Sequence, residues 1–142
     1  MDEDAIREMT EDECWERLRA QEFGRLAYHL LDEVHIVPVN YRVDGHRLLF
    51  ATAEGSKLLG VVMNDDVAFE VDRFADEQAW SVVVRGRARV LEEDEAHVTE
   101  RVGLRTWLDT PKYNVVAIDV DTVSGRSFQL DRPWLSILSP VR

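Results

Sequence analysis

The sequence predicts a mainly β protein with some helix, an α+β chain of six largely antiparallel strands. These would roll into a small closed or partly closed β-barrel with helices flanking its ends. Three observations predict it. Apolar and polar residues alternate over several short segments, which is the period of half-buried strands. Tight-turn residues such as Asp44-Gly45 join consecutive segments, which favours antiparallel pairing. Only two connections are long enough to cross over, so a parallel βαβ sheet is disfavoured.

In chain order, Thr10-Glu11-Asp12-Glu13 reads as a capping box that opens a helix. That helix buries Cys14, Trp15 and Leu18 and exposes Glu16, Arg17 and Arg19. Phe23-Gly24 ends it. Arg25 to Leu31 follows as a strand with Leu26, Tyr28 and Leu30 on one face, and Asp32-Glu33 turns the chain. Val34 to Val43 is the second strand, where Pro38 implies an edge position, a bulge or a kink. Asp44-Gly45 is a hairpin turn into a third strand, Arg47 to Ala51.

Lys57 to Met63 then makes a short helix, and Asn64-Asp65-Asp66 a turn. Val67, Phe69 and Val71 alternate as a fourth strand, and Arg73 to Ala79 is a polar loop. The fifth strand, Trp80 to Leu91, carries Trp80, Val82, Val84, Gly86, Ala88 and Val90 on one side. Glu92 to Trp107 is a second helix, stopped by Thr110-Pro111. Asn114 to Asp121 is the sixth strand, Ser124-Gly125-Arg126 a turn, and Phe128 to Leu130 a short last segment. Residues 1–142 make one domain, with 1–9 and 132–142 as tails.

Composition excludes several function classes. The chain has 17 basic and 28 acidic residues, a net charge of −11, which disfavours nucleic acid and anionic membranes as partners. Apolar runs are far shorter than the ~20 residues of a membrane helix. The acidic start, Met1-Asp2-Glu3-Asp4, has no apolar signal region, and Cys14 is the sole cysteine. A cytoplasmic protein is the expectation.

Little of the sequence suggests catalysis by side chains alone. His29, His35, His46 and His97 show no metal-ligand spacing, so no metal site is expected. There is no Gly-x-Ser-x-Gly elbow, and Cys14 lies on the buried side of its helix. Arg85, Arg87 and Arg89 share one face of the fifth strand. Pairing with acidic neighbours is the expected role, and docking of an anion is the alternative.

One stretch does suit a phosphate: Phe50-Ala51-Thr52-Ala53-Glu54-Gly55-Ser56-Lys57-Leu58. It leaves a strand, passes two hydroxyls and a glycine, and delivers a lysine to a helix start. The order Gly55-Ser56-Lys57 is not that of a P-loop. Read alone, the stretch is more often an ordinary capped turn.

Four blocks in order carry a resemblance: Val37-Pro38-Val39-Asn40-Tyr41, the 50–58 stretch, Val67 to Asp72, and Trp80 to Ala88. Together they resemble the pyridoxamine 5′-phosphate oxidase-like family of FMN-binding split β-barrels, over about residues 13–128. The resemblance implies a homodimer with FMN held at the subunit interface. It places Thr52, Ser56 and Lys57 on the flavin phosphate, and Val37, Pro38, Val39 and Asn40 along the ring and ribityl chain. Trp80 and Ser81 are further cofactor candidates, and Arg126 a lesser one.

The implied activity is that of a flavin-dependent oxidoreductase acting on a small molecule, with no catalytic side chain assigned. Ala51 stands where relatives often carry a phosphate-pairing arginine, and the substrate segment of the vitamin B6 oxidases is missing. A deazaflavin (F420) reductase, or a non-enzymatic ligand-binding or regulatory barrel without flavin, is therefore the alternative.

Overall fold

A computed structural model describes residues 5–52, 64–92 and 114–130. The short helix expected from Lys57 lies outside them, as do Ser56, Lys57, the segment 132–142 and the longer expected helix beyond Glu92, which is itself described and not helical. The described residues form one helix, α1 (Glu11–Ala20), and eight strands. These are β1 (Ile6–Glu8), β2 (Phe23–Leu30), β3 (Glu33–Asn40), β4 (Arg42–Asp44), β5 (Arg47–Thr52), β6 (Asp66–Phe74), β7 (Gln78–Val90) and β8 (Asn114–Gln129).

The pairing is antiparallel throughout, in the order β3-β2-β6-β7-β8-β5-β4, with β1 also paired to β8. This is the split β-barrel. Its core lies on the concave side, where Leu26, Phe50, Phe69, Val82, Val84 and Ile118 are fully buried. Each such side chain contributes roughly 1.5–3 kcal/mol by leaving water. Helix α1 adds Cys14, Trp15 and Leu18 to that core.

The capping box forms as expected. The Thr10 hydroxyl accepts from the Glu13 amide at 3.2 Å, and the Glu13 carboxylate accepts from the Thr10 amide at 3.1 Å. Arg7 adds an ion pair to Glu13 at 2.8 Å, and these bonds hold that carboxyl down at about 2. The far end of α1 is tied to the strands by Tyr41, whose hydroxyl donates to the Leu18 carbonyl at 2.6 Å.

Several expectations are corrected. There are eight strands rather than six, because Ile6–Glu8 pairs with Phe128–Arg126 and because the second strand breaks at Tyr41. The helix ends at Ala20, and Gly24 lies inside β2 instead of ending the helix. A Cβ there would run into the Phe69 ring, so packing explains that glycine. The polar loop after Asp72 shrinks to 75–77, since β6 and β7 extend into it and Ala75 N–H bonds Gln78 C=O at 2.7 Å.

The largest correction concerns Ser124-Gly125-Arg126, which is not a turn. It lies within β8, paired on one side with Ser81–Val83 of β7 and flanked on the other by β1. Gly125 is there for a close approach: a Cβ would meet Cys14 Sγ at 2.8 Å, the Ser81 carbonyl oxygen at 3.0 Å and Met9 Sδ at 3.2 Å.

Other expectations hold. Gly45 takes a φ of 62°, as the hairpin turn between β4 and β5 requires. Pro38 sits on β3, the end strand in the pairing order of the described residues, the position in a sheet where proline is best tolerated. On β7 the side carrying Trp80, Val82, Val84, Gly86 and Ala88 is buried, and Arg85, Arg87 and Arg89 are exposed. No helix among the described residues is long and apolar enough to cross a membrane.

Candidate functional site

The candidate residues fall into two groups. Strand β3 ends at Asn40, and after Tyr41 the chain pairs back on β5, Arg42 against Leu49. Extending that register sets Asn40 near Ala51, and β3 does lie against β5. The ends of β3 and β5 thus bring Pro38, Val39, Asn40 and Thr52 to one place. Pro38 is exposed on the outer face, and Asn40 is half-buried. Val37 is half-buried against the core and Val39 is buried in it, so Val39 can offer a ligand there only its backbone. Thr52 closes β5 and is the one buried polar or charged residue among those described. Ser56 and Lys57, expected a few residues further on, lie outside the described residues.

The second group surrounds the start of β7. Ser81 is half-buried on the outer face, directly opposite Arg126 of β8. The side chain of Trp80 points the other way into the core, with the Arg17 guanidinium 5.2 Å above its ring. Ser81, Arg85, Ser124, Arg126, Val83 and Glu8 line an open groove of about 510 Å³ between β7, β8 and β1. That size suits a small molecule or one end of a cofactor. Gly125 forms its close-packed floor.

The two groups are far apart within one chain. Thr52 pairs with Asn114 at one end of β8, whereas Ser81 pairs with Arg126 near the other. Twelve residues of strand separate those partners, about 40 Å of extended backbone at ~3.3 Å per residue.

Charge on the outer face is organised by arginines. Arg87 pairs with Asp65 at 3.0 Å and Arg89 with Asp119 at 3.0 Å, as expected of an exposed ladder. Arg85 and Arg126 have no such partner among the described residues. Arg25 of β2 bonds both Glu70 at 2.6 Å and Asp72 at 2.9 Å on β6. Burial, and then the neighbouring Asp72, raise the Glu70 carboxyl to about 7 despite Arg25.

The groove was not foreseeable from the sequence, because a turn was expected where β8 supplies its wall. The alternation of Arg85 with Val83 and Ser81 was the available signal. Among the described residues no cluster of three or more His, Cys, Asp or Glu is placed to hold a metal ion.

The pyridoxamine 5′-phosphate oxidase family profile matches residues 10–127. A protein of Mycobacterium tuberculosis without assigned function is 40% identical over 88 residues, 61% of this chain and 80% of that protein. Among solved structures, a Corynebacterium glutamicum protein carrying the family's name superposes with a TM-score of 0.79 at 37% identity. It is matched over 93% of this chain and 99% of its own. A FAD-binding protein of Mycobacterium smegmatis gives a TM-score of 0.76 at 35% identity, covering 88% of this chain and all of that one (100%). The chain belongs to the pyridoxamine 5′-phosphate oxidase family.

Proposed function

We propose that the chain is a flavin-dependent oxidoreductase acting on a small molecule, and that two copies together hold each FMN. The observation that carries this reading is the separation of the two groups along β8. One flavin mononucleotide does not reach from Thr52 to Ser81 of the same chain. In the dimer proposed, it would bridge the β3–β5 end of one copy and the β7–β8 groove of a second. The FAD-binding relative from Mycobacterium smegmatis supports a flavin as the ligand.

The residues fit the group. Thr52 places a hydroxyl at the end of β5, and Ser56 and Lys57 follow it in sequence with a further hydroxyl and a cation. Charge-assisted bonds of this kind are the strong ones for phosphate. The backbone from Val37 to Asn40 offers polar groups to the edge of the ring system, and Ser81 of the second copy closes the other side. Flavin, when bound, supplies the electron and hydride chemistry, so the protein's share is binding, orientation and exclusion of water.

Native mass spectrometry of the purified protein tests the reading, together with its visible spectrum. A dimer retaining two flavins is expected. A colourless monomer whose melting temperature does not respond to FMN, FAD or F420 would overturn it in favour of a flavin-free binding protein.

A further inference from the structure

We propose that Arg85 and Arg126 turn the β7–β8 groove into an anion-recognition site, which makes the substrate a small carboxylic or phosphoric acid. This rests on the flavin reading of the same groove and adds the substrate class to it.

The first observation is the charge pattern. With 28 acidic residues against 17 basic ones, an exposed arginine of this chain has carboxylates in excess around it. Arg87 and Arg89 have each taken one, at 3.0 Å and 3.0 Å. Among the described residues, the side chains of Arg85 and Arg126 take part in no ion pair and no hydrogen bond, their backbones being engaged in the β ladders. Both line one groove.

Register explains why they stand unpaired. The cross-strand neighbours of Arg85 are Ala68 and Thr122, neither of which carries charge. The ladder then slips between Arg85 and Gly86, so that Asp121 has no partner on β7 and drops out of the row facing Arg85. A bulge re-aims side chains in this way. Arg126 lies between Ser81 and Glu8 in the pairing and bonds neither side chain. Among the described residues Glu8 is the single carboxylate lining the groove, so the described wall is net positive in a chain of charge −11.

The second observation is shape. Arg85 and Arg126 project from the same outer face, with Thr122, the partner of Arg85, four residues from Arg126 along β8. That is about 13 Å between backbone positions, a gap two arginine side chains can close over a ligand. Between them lie Val83 and the hydroxyls of Ser81 and Ser124. A planar or aliphatic body fits over Val83 with its acid group on a guanidinium, whose fork matches carboxylate and phosphate alike. A neutral analogue leaves that pairing unmade, and this is how such a site discriminates.

The same chemistry could serve a phosphate of the cofactor, so the test separates the two sources. Succinate and inorganic phosphate are titrated calorimetrically, at constant ionic strength, into wild type, Arg85→Gln, Arg126→Gln and Arg87→Gln. The last removes equal charge from an arginine already held by Asp65. Loss of a charged hydrogen bond should weaken anion binding about tenfold or more in the first two variants. In Arg87→Gln the change should stay within about twofold, as for an exposed pair. Flavin content, read separately by absorbance, should be unchanged in Arg85→Gln.

Three results would overturn the proposal: no anion binding by wild type, equal weakening in Arg87→Gln, or flavin lost in step with succinate in Arg85→Gln. The third would assign the guanidinium to the cofactor's phosphate. A protein that binds succinate through Arg85 but takes up no flavin upholds the anion site and refutes the flavin reading.

Discussion

If each flavin is held by two copies, lesions in the two groups of site residues should complement one another. Consider Lys57→Ala, which removes the phosphate cation, and Ser81→Trp, which fills the groove from a half-buried outward position. Loss of one charge-assisted hydrogen bond costs about 1.5–3 kcal/mol, a ten- to hundredfold loss of affinity. Either variant alone, as a homodimer, damages both of its sites. A heterodimer of the two concentrates both lesions in one site and leaves the other intact.

Co-expression with two affinity tags isolates that heterodimer, and flavin per dimer is read from absorbance after dialysis. The expected value is half that of wild type, against near zero for either homodimer. The reasoning depends on the stretch of β8 between the partners of Thr52 and Ser81. Were one flavin to touch both groups within a single chain, each site of the heterodimer would carry one lesion. No flavin would then be recovered, and the two-copy site would be refuted.

Three further outcomes follow from packing and charge. Tyr41→Phe keeps the ring against Phe69 but removes the 2.6 Å bond to the Leu18 carbonyl, so thermal unfolding should show a loss of about 1–2 kcal/mol, roughly 3–6 °C. Gly125→Ala drives a methyl toward Cys14 Sγ (2.8 Å) and the Ser81 carbonyl oxygen (3.0 Å), and should cost about 1–3 kcal/mol in urea unfolding. A stability equal to wild type would show that β8 yields more readily than its two-sided pairing implies. Glu70 holds its proton more tightly folded than unfolded, about 7 against 4.5, so stability should fall as pH rises through that window and level off above it. Its side chain is 31% exposed, which limits the effect to the order of 1 kcal/mol, and urea titrations should show the slope vanish in Glu70→Gln.

What the sequence determined by itself is everything set by neighbours along the chain. Thr10 and Glu13 cap α1 because a capping box is complete within four residues. Gly45 turns the β4–β5 hairpin because it tolerates positive φ. The two sides of β7 follow from a period of two, and Pro38 lies on the end strand of the pairing order among the described residues, one of the places its missing donor allows. The ordered blocks from Val37 to Ala88 were enough to indicate the family.

Tertiary structure decided what depends on partners distant in sequence. Gly24 and Gly125 resemble a helix stop and a turn when read locally. They are strand residues by their pairing with Val39 and Val82, and glycines because Phe69, Cys14 and Ser81 come too close for a Cβ. Tyr41 interrupts its strand to serve a helix carbonyl at Leu18, 23 residues earlier. Arg85, Arg87 and Arg89 are indistinguishable by spacing, and only the strands beside them show that two have carboxylates while Arg85 faces a groove. The opposition of Ser81 to Arg126, and its distance from Thr52, belong to the register of β8, which no local pattern encodes.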